Sequence, residues 1–313
     1  MKHILIVDDV HSVFMEILQN HEFICDFQPD ISVERALEIF GDYDALVVRS
    51  KFKLTRGILA NAGKLRIICR AGAGMDNIDM QAAAEFNIHC INAPEGNRDA
   101  VGEHTLGLLL ALSNKLIQSD RQVKKQIWNR EANRGIEIKG KTIAIIGFGN
   151  TGAAFARKLQ GFECRILAYD KYKSGFGSDY VEEATLEEIF DQADILSLHI
   201  PLTYETKGMM NGEFISRFKK PFYFLNTSRG EVQRMTDLVL ALNSKQIIGA
   251  GLDVLENEKF PLKDPADDDW FQKLSVLDNV VLTPHTAGWT VESFFKISTV
   301  LAEKILNFYN LSI

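Results

Sequence analysis

Short apolar runs alternate with amphipathic stretches along most of the chain. Over residues 1–96 the runs fall at 4–7, 24–27, 45–48, 66–69 and 88–91. They are rich in Ile and Val and predict strands. Helical patterns lie between them, for example 33–40, stopped by Gly41, and 79–86. This rhythm predicts a small doubly wound α/β domain. The segment Asn92-Ala-Pro-Glu-Gly-Asn97 carries turn chemistry, and Asp99 reads as the N-cap of a long helix, strongly apolar from Val101 to Leu116. One sheet face does not require so apolar a helix. It is expected to be packed on several sides, between domains or in a dimer contact.

From Lys141 the strand–helix rhythm restarts, with strands predicted at 142–146, 165–169, 194–198, 222–225, 247–251 and 280–282. After Pro284 comes one more helical stretch, 291–309. Phe294, Phe295, Ile297, Leu301, Ile305 and Leu306 give it a broad apolar face. No strand follows, so that face is expected to return and cover the N-terminal domain. The chain would then cross between domains near 94–98 and 287–290, leaving a cleft. The expected architecture is two doubly wound α/β domains: residues 1–96 plus 290–313, smaller and flavodoxin-like, and residues 97–289.

The second domain opens on Lys141-Thr-Ile-Ala-Ile-Ile-Gly147-Phe-Gly149-Asn-Thr-Gly152. A buried strand, a glycine turn and a helix start are what a dinucleotide pyrophosphate needs. Gly147 lets the chain turn, Gly149 lets backbone approach phosphate, and Gly152 lets helix and strand pack closely. The helix N-terminus offers N–H donors to the anion. Gly161 is read as the C-cap of that helix. Asp170 ends the next strand, close to the ~20-residue spacing expected of the carboxylate that binds the adenosine ribose. That carboxylate repels a 2′-phosphate, so the expected cofactor is NAD rather than NADP; Lys171 and Lys173 read as solvated loop residues. The domain is therefore expected to be a Rossmann NAD-binding domain, leaving the flavodoxin-like one for substrate.

Bulk properties narrow the partners. At 313 residues with formal charge −7, and with no basic cluster, the chain is not expected to bind nucleic acid. No apolar run reaches the ~18 residues of a membrane span. The N-terminus reads as a strand rather than a signal peptide. Cys25, Cys69, Cys90 and Cys164 show no paired spacing and read as buried thiols of a cytoplasmic protein, with no metal site expected. The opening Ile4-Leu-Ile-Val-Asp8-Asp9 resembles a response-regulator receiver. A receiver needs a phosphoacceptor Asp at the end of its third strand, and here that strand ends in Arg49.

In an open α/β sheet, ligands bind beyond the carboxyl ends of the strands. Three such ends in the second domain lead to Asn226-Thr-Ser-Arg229-Gly230, to Asp253-Val-Leu-Glu-Asn-Glu258, and to Pro284-His285-Thr-Ala-Gly288. Each of Arg229, Glu258 and His285 alone reads as an ordinary surface residue. Placed together on one rim, they are a set suited to redox chemistry on a small acid. A guanidinium holds a carboxylate bidentately, an imidazole exchanges the proton, and a carboxylate beside it favours its charged form and orients it.

With these residues in hand, nearly the whole chain resembles the NAD-dependent D-2-hydroxyacid dehydrogenase family, and within it the phosphoglycerate-oxidising branch. The matching stretches are Val47-Val-Arg-Ser50, Ala71-Gly-Ala-Gly-Met-Asp-Asn-Ile-Asp79, Asn92-Ala-Pro94 with Glu103, and the glycine turn. They continue with His199-Ile-Pro-Leu-Thr203 plus Thr206, Asn226 to Gly230, Leu252-Asp-Val254 with Glu258, and Pro284-His285 with Gly288. The resemblance implies that Arg229 binds and polarises the substrate and that His285, paired with Glu258, is the acid/base. It implies that Asn150 and Thr151 meet the pyrophosphate. Pro201, Thr206, Thr227, Ser228, His199 and Gly288 would belong to the cofactor cleft, and Asp253 would approach the nicotinamide amide. The backbone of Ala73 and Gly74 would cradle the substrate carboxylate, with Arg49 and Ser50 nearby.

The implied substrate is a D-2-hydroxyacid, with D-3-phosphoglycerate, oxidised to 3-phosphohydroxypyruvate at the entry to serine synthesis, favoured over glyoxylate or hydroxypyruvate. Its phosphate would need a second cationic pole, assigned to Arg49 with Ser50 and Lys51 or Lys53; the alternative is that Arg49 pairs with a protein carboxylate such as Asp76. A homodimer is expected from the apolar 101–116 helix and the family habit. An NAD-binding corepressor on the same fold is the alternative from another class. Two departures from the family stand out. Glu231-Val-Gln-Arg-Met-Thr236 replaces the usual apolar pair and Asp, and Trp289 stands where phosphoglycerate enzymes often carry a small residue. The end at Ile313 implies that the serine-binding regulatory domain of some relatives is absent.

Overall fold

The computed structural model describes residues 1–311. In chain order the elements are β1 (Lys2–Ile6), α1 (Val13–Gln19), β2 (Phe23–Phe27), α2 (Val33–Ile39), β3 (Ala45–Val48), α3 (Arg56–Leu59), β4 (Ile67–Arg70), α4 (Met80–Glu85) and β5 (His89–Asn92). Then follow α5 (Pro94–Ser113), α6 (Leu116–Lys124), β6 (Thr142–Ile146), α7 (Asn150–Leu159), β7 (Arg165–Tyr169), β8 (Glu182–Glu183), α8 (Leu186–Gln192) and β9 (Ile195–Leu198). The chain closes with α9 (Gly212–Ser216), β10 (Phe222–Asn226), α10 (Met235–Asn243), β11 (Ile247–Leu252), α11 (Pro265–Ser275), β12 (Val280–Leu282) and α12 (Val291–Phe308).

Two compact units form. One is Met1–Arg98 with the segment from Trp289 onward; the other is Asp99–Gly288. In the first, the described residues make a five-stranded parallel sheet ordered β2-β1-β3-β4-β5, the flavodoxin-like winding. Strand alternation sends Ile4, Ile6, Ala45, Val47, Ile67 and Cys69 to one face, where α1 and α12 cover them through Phe14, Leu18, Leu301 and Ile305. Leu5, Val7, Leu46, Val48 and Ile68 face the other way, against Ala36, Leu59 and Ala82. The central strands β3 and β4 are buried on both faces and read as apolar runs, whereas the edge strands β2 and β5 are partly exposed and carry Asp26 and His89.

In the second unit the described residues make a seven-stranded parallel sheet ordered β12-β11-β10-β9-β6-β7-β8. The winding reverses between β6 and β9, which pair in parallel, so their carboxyl ends flank the switch point. Phe155, Ala156 and Leu159 of α7 and Leu108, Leu109 and Leu112 of α5 cover one face. Leu238, Val239 and Leu242 of α10, with Ile189 and Trp270, cover the other.

Four expectations are corrected here. Helix α5 begins at Pro94, not after an Asp99 cap, and takes in most of the segment read as a turn. Proline is at home in a first helical turn, where its missing N–H has no intrahelical acceptor. The same helix stops at Ser113, and Lys115, at φ 52°, separates it from α6. Gly161 is not the left-handed cap after α7; a single 3₁₀ turn follows that helix, and Glu163 takes the left-handed position at φ 51°. The sheet gains β8, a two-residue charged edge strand with no apolar signal to betray it.

Candidate active site

The glycine turn joins β6 to α7. Gly147 has φ 93°, and a Cβ on it would lie 2.4 Å from the His199 carbonyl oxygen. A Cβ on Gly152 would lie 2.1 Å from the Gly147 carbonyl oxygen, so both positions are closed to a side chain. Gly149 differs, because nothing lies within 4 Å of its would-be Cβ. The protein's own packing does not demand glycine there. Open space at the mouth of the turn, next to the first N–H groups of α7, fits a pyrophosphate. Asn150 and Thr151 form that first turn.

Asp170 follows β7. Its Oδ2 accepts the Phe148 N–H at 2.9 Å and its Oδ1 accepts the Tyr172 N–H at 2.9 Å. The carboxylate is thus fixed beside the glycine turn, at the rim of a depression of about 300 Å³ also lined by Lys173, Phe176, Glu183 and Leu186. Lys171 pairs with Glu205 at 2.6 Å, and Lys173 donates to the Phe148 carbonyl at 3.2 Å. His199 follows β9 and is buried, its ring between Ser197 Oγ at 2.8 Å and Thr151 Oγ1 at 3.3 Å. Burial lowers its pKa to about 3, so the ring stays neutral and ties β9 to the start of α7. Thr206 closes its own loop, donating to the Pro201 carbonyl at 2.7 Å and accepting from the Thr203 N–H at 2.8 Å.

Arg229 sits just past β10 on a loop braced from within. Buried Asn226 accepts from Ser228 N–H and Oγ–H at 2.9 and 2.7 Å, and its amide donates to the Arg229 carbonyl at 3.1 Å. The same amide donates to Gln233 Oε1 at 3.0 Å, and Gln233 Nε2 donates to the Val254 carbonyl at 3.1 Å. Gln233 is fully buried. It lies within the stretch that departs from the family pattern, and its polarity there was the available signal for a buried brace. Gly230 is obligatory, since a Cβ would meet the Leu255 carbonyl oxygen at 1.8 Å. Thr227 shares a hydrogen bond with buried Thr105, Oγ1 to Oγ1 at 2.9 Å. The hydroxyls of both Thr227 and Ser228 therefore have partners within the protein.

His285 follows β12 with φ 55°, a left-handed conformation that costs a non-glycine residue energy. Its N–H is held by the Asp253 carbonyl at 2.8 Å and the Thr283 carbonyl at 3.1 Å. Asp253 is buried, and its carboxylate gathers the rest of the loop: Thr283 Oγ1 at 2.6 Å, Thr286 N–H at 2.8 Å and Ala287 N–H at 2.8 Å. His104 of α5, not singled out in the sequence, bonds Thr283 Oγ1 at 2.9 Å and lies 3.5 Å from Asp253 Oδ1. Gly288 closes this loop at the unit's end. His285 Nδ1 meets Glu258 Oε2 at 2.8 Å. A carboxylate only accepts, so Nδ1 carries the proton and Nε2 is left for chemistry. Arg229, Glu258 and His285 line one depression of about 500 Å³ with Leu202, Leu255 and Asn257.

The first unit holds the remaining residues. Asp8 Oδ2 accepts the N–H groups of Arg49, Ser50 and Lys51 at 2.6, 3.1 and 3.2 Å, fixing the turn after β3. The Arg49 guanidinium lies 3.4 Å from the Trp289 ring centroid. Burial lowers its pKa, opposed by the charges of Asp8 and Asp9. Lys51 Nζ donates to the Pro29 and Ile31 carbonyls, which explains its place without an anion. Arg70 ends β4, in register with Val48, and a Cβ on Gly72 would strike its guanidinium. Two strand ends side by side thus carry Arg. Ala73 and Gly74 follow in the same turn, where the Ala73 carbonyl accepts from Asn92. Burial pushes the Cys25 and Cys90 thiols up to about 11, far from nucleophile range. Among the described residues no group of three or more His, Cys, Asp or Glu could hold a metal, and no helix is long and apolar enough to cross a membrane.

A parallel sheet wound in this order, with a glycine turn at its switch point, defines a dinucleotide-binding protein. Residues 106–287 match the NAD binding domain of the D-isomer specific 2-hydroxyacid dehydrogenases. The chain is 36% identical over 310 residues to D-3-phosphoglycerate dehydrogenase of Methanocaldococcus jannaschii, covering 97% of this chain and 57% of that protein. It is 36% identical over 292 residues to hydroxypyruvate reductase of Thermotoga maritima, covering 93% and 92% of the two. D-lactate dehydrogenase of Aquifex aeolicus, solved with NAD and lactic acid, superposes with a TM-score of 0.85 at 26% identity, covering 98% and 95%. The chain belongs to the D-2-hydroxyacid dehydrogenase family, and Asp99–Gly288 contains its NAD-binding domain. It spans little more than half the length of the phosphoglycerate dehydrogenases it matches.

Proposed function

We propose that the protein interconverts a D-2-hydroxyacid and its 2-keto acid, with D-3-phosphoglycerate and 3-phosphohydroxypyruvate as the preferred pair. The observation that carries the reading is the 2.8 Å His285–Glu258 contact in one depression with Arg229, on the carboxyl side of the NAD-binding sheet. NAD, when bound, accepts or supplies the hydride. Arg229 holds the substrate carboxylate through its planar fork. In the reductive direction His285 donates the Nε2 proton to the keto oxygen while its Nδ1–H stays hydrogen-bonded to Glu258, which orients the ring. The oxidative direction returns the proton to Nε2. Asn150, Thr151 and the glycine turn are assigned to the pyrophosphate, and Asp170 to the ribose. Pro201, Thr206, Thr227, Ser228, His199, Asp253 and Gly288 are assigned to the walls of the cofactor site.

In the first unit, the backbone of Ala73 and Gly74 with Arg49 and Ser50 is assigned to substrate. The phosphate reading is supported by Arg49 and Arg70 at neighbouring strand ends and by the phosphoglycerate dehydrogenases among the relatives. A second reading, reduction of hydroxypyruvate or glyoxylate, is favoured by the near-full-length match to hydroxypyruvate reductase. We assign the protein to serine synthesis in the cytoplasm and to a homodimer. The test is NADH oxidation over 3-phosphohydroxypyruvate, hydroxypyruvate, glyoxylate and pyruvate, with NADPH in parallel. The phosphorylated acid is expected to give the highest kcat/KM. Turnover of none of the four would remove the reading.

A further inference from the structure

Arg49 is held at two levels. Its backbone N–H is pinned to Asp8, and its guanidinium carbon lies 3.4 Å from the centre of the Trp289 ring. The ring is itself anchored. Thr290, the next residue, caps α12 in a reciprocal box with Ser293, through bonds of 2.9 and 3.0 Å, and the indole packs against Phe294 at 6.3 Å. Between Arg49, Trp289, Asp9, Phe294 and Ser298 remains a cavity of only about 10 Å³, so the contact is filled. Yet Trp289 keeps 55% of its surface exposed. Burial of apolar surface does not account for its place; the guanidinium face does.

Resting on the reading that Arg49 meets the far end of the substrate, we propose that Trp289 is a positioning residue that sets the preference for a phosphorylated acid. A guanidinium has a weakly hydrated face and edges carrying five N–H donors. An indole covering the face leaves the edges as the anion-binding surface and removes much of the side chain's rotational freedom. Without the ring, Asp8 and Asp9 are the competing partners, since both act on the charge of Arg49 and Asp9 lines the same space. The indole holds the fork away from those carboxylates and ready for a phosphate. The residue that departs from the small side chain common in phosphoglycerate enzymes thus serves this chain's phosphate pole rather than obstructing it.

The test is steady-state reduction of 3-phosphohydroxypyruvate and hydroxypyruvate with NADH by wild type, W289A, W289F, R49A and the W289A/R49A double variant, with thermal melts of each. W289A is expected to lose about tenfold in kcat/KM for the phosphorylated acid, as a rise in KM at nearly constant kcat, while hydroxypyruvate is unaffected. W289F, still an aromatic face, should recover most of the loss. The double variant should be no worse than R49A alone, because the ring acts through the guanidinium. If wild type prefers the phosphorylated acid and R49A erases that preference but W289A does not, the inference fails and the substrate reading stands. Equal losses on both acids in W289A overturn it too, leaving Trp289 a structural residue. If wild type shows no preference for the phosphorylated acid, the substrate reading fails and takes the inference with it.

Discussion

Asp253 and His285 are joined by a backbone hydrogen bond of 2.8 Å, while the Asp253 carboxylate binds the residues on either side of that histidine. One buried side chain therefore holds the left-handed turn that presents His285. Asp253→Ala leaves two backbone N–H groups and the Thr283 hydroxyl without their acceptor. We expect a loss of about 2–3 kcal/mol in unfolding free energy, from unsatisfied buried donors. A fall in kcat of at least tenfold should accompany it, read by urea unfolding and steady-state kinetics on the same preparation. Unchanged kcat in a folded variant would remove Asp253 from the support of His285.

Glu258→Gln keeps the size of the side chain and removes its charge. The His285 Nδ1–H then faces an amide instead of the carboxylate that orients the ring. kcat of the reductive reaction should fall by about 10- to 100-fold while NADH affinity is kept. An unchanged kcat would separate Glu258 from the proton transfer.

His199 links pH to folding. Its folded pKa of about 3 lies below the ordinary value of 6.5. Below pH 6.5 the unfolded chain takes up a proton that the folded chain refuses. The neutral ring's contribution is whole above 6.5 and is lost as the pH falls towards 3, at up to about 1.4 kcal/mol per pH unit. His199→Asn removes this linkage, so its unfolding free energy should fall less steeply than that of wild type between pH 6.5 and 4.5. Parallel slopes in denaturant titrations would contradict the assignment.

Asp170 should set cofactor choice. NAD should bind at least tenfold more tightly than NADP, because a 2′-phosphate beside this carboxylate adds like-charge repulsion. Asp170→Ala should narrow the gap and also weaken NAD, since the Phe148 N–H loses the acceptor that fixes the glycine turn. Equal wild-type affinities in fluorescence titrations would end this account.

Much of the fold was legible because parallel strands buried on both faces leave unbroken apolar runs. The bounds of β3, β6, β7 and β12 are those read from the sequence. The broad apolar face of 291–309 announced a partner, and α1 is what it packs on in the structure. β8 was hidden because two glutamates at a sheet edge bury nothing. The start of α5 was hidden because Pro94 and Gly96 read as turn residues, although proline suits a first helical turn and Gly96 is fixed by close approach to Ile297. At the site, residue types at strand ends pointed to Arg229, Glu258 and His285. The braces behind them were not legible. Gln233, His104 and Thr105 act through contacts distant in sequence, and only the fold brings those contacts together.

In the proposed reaction His285 carries the substrate proton while hydride passes between NAD and a 2-keto acid. The most direct measurement is pre-steady-state NADH oxidation with 3-phosphohydroxypyruvate by wild type and His285→Ala, with NADH affinity measured on both. The variant is expected to bind NADH within about threefold of wild type and to lose at least about 100-fold in the rate of oxidation. Oxidation at the wild-type rate by the His285 variant would contradict it.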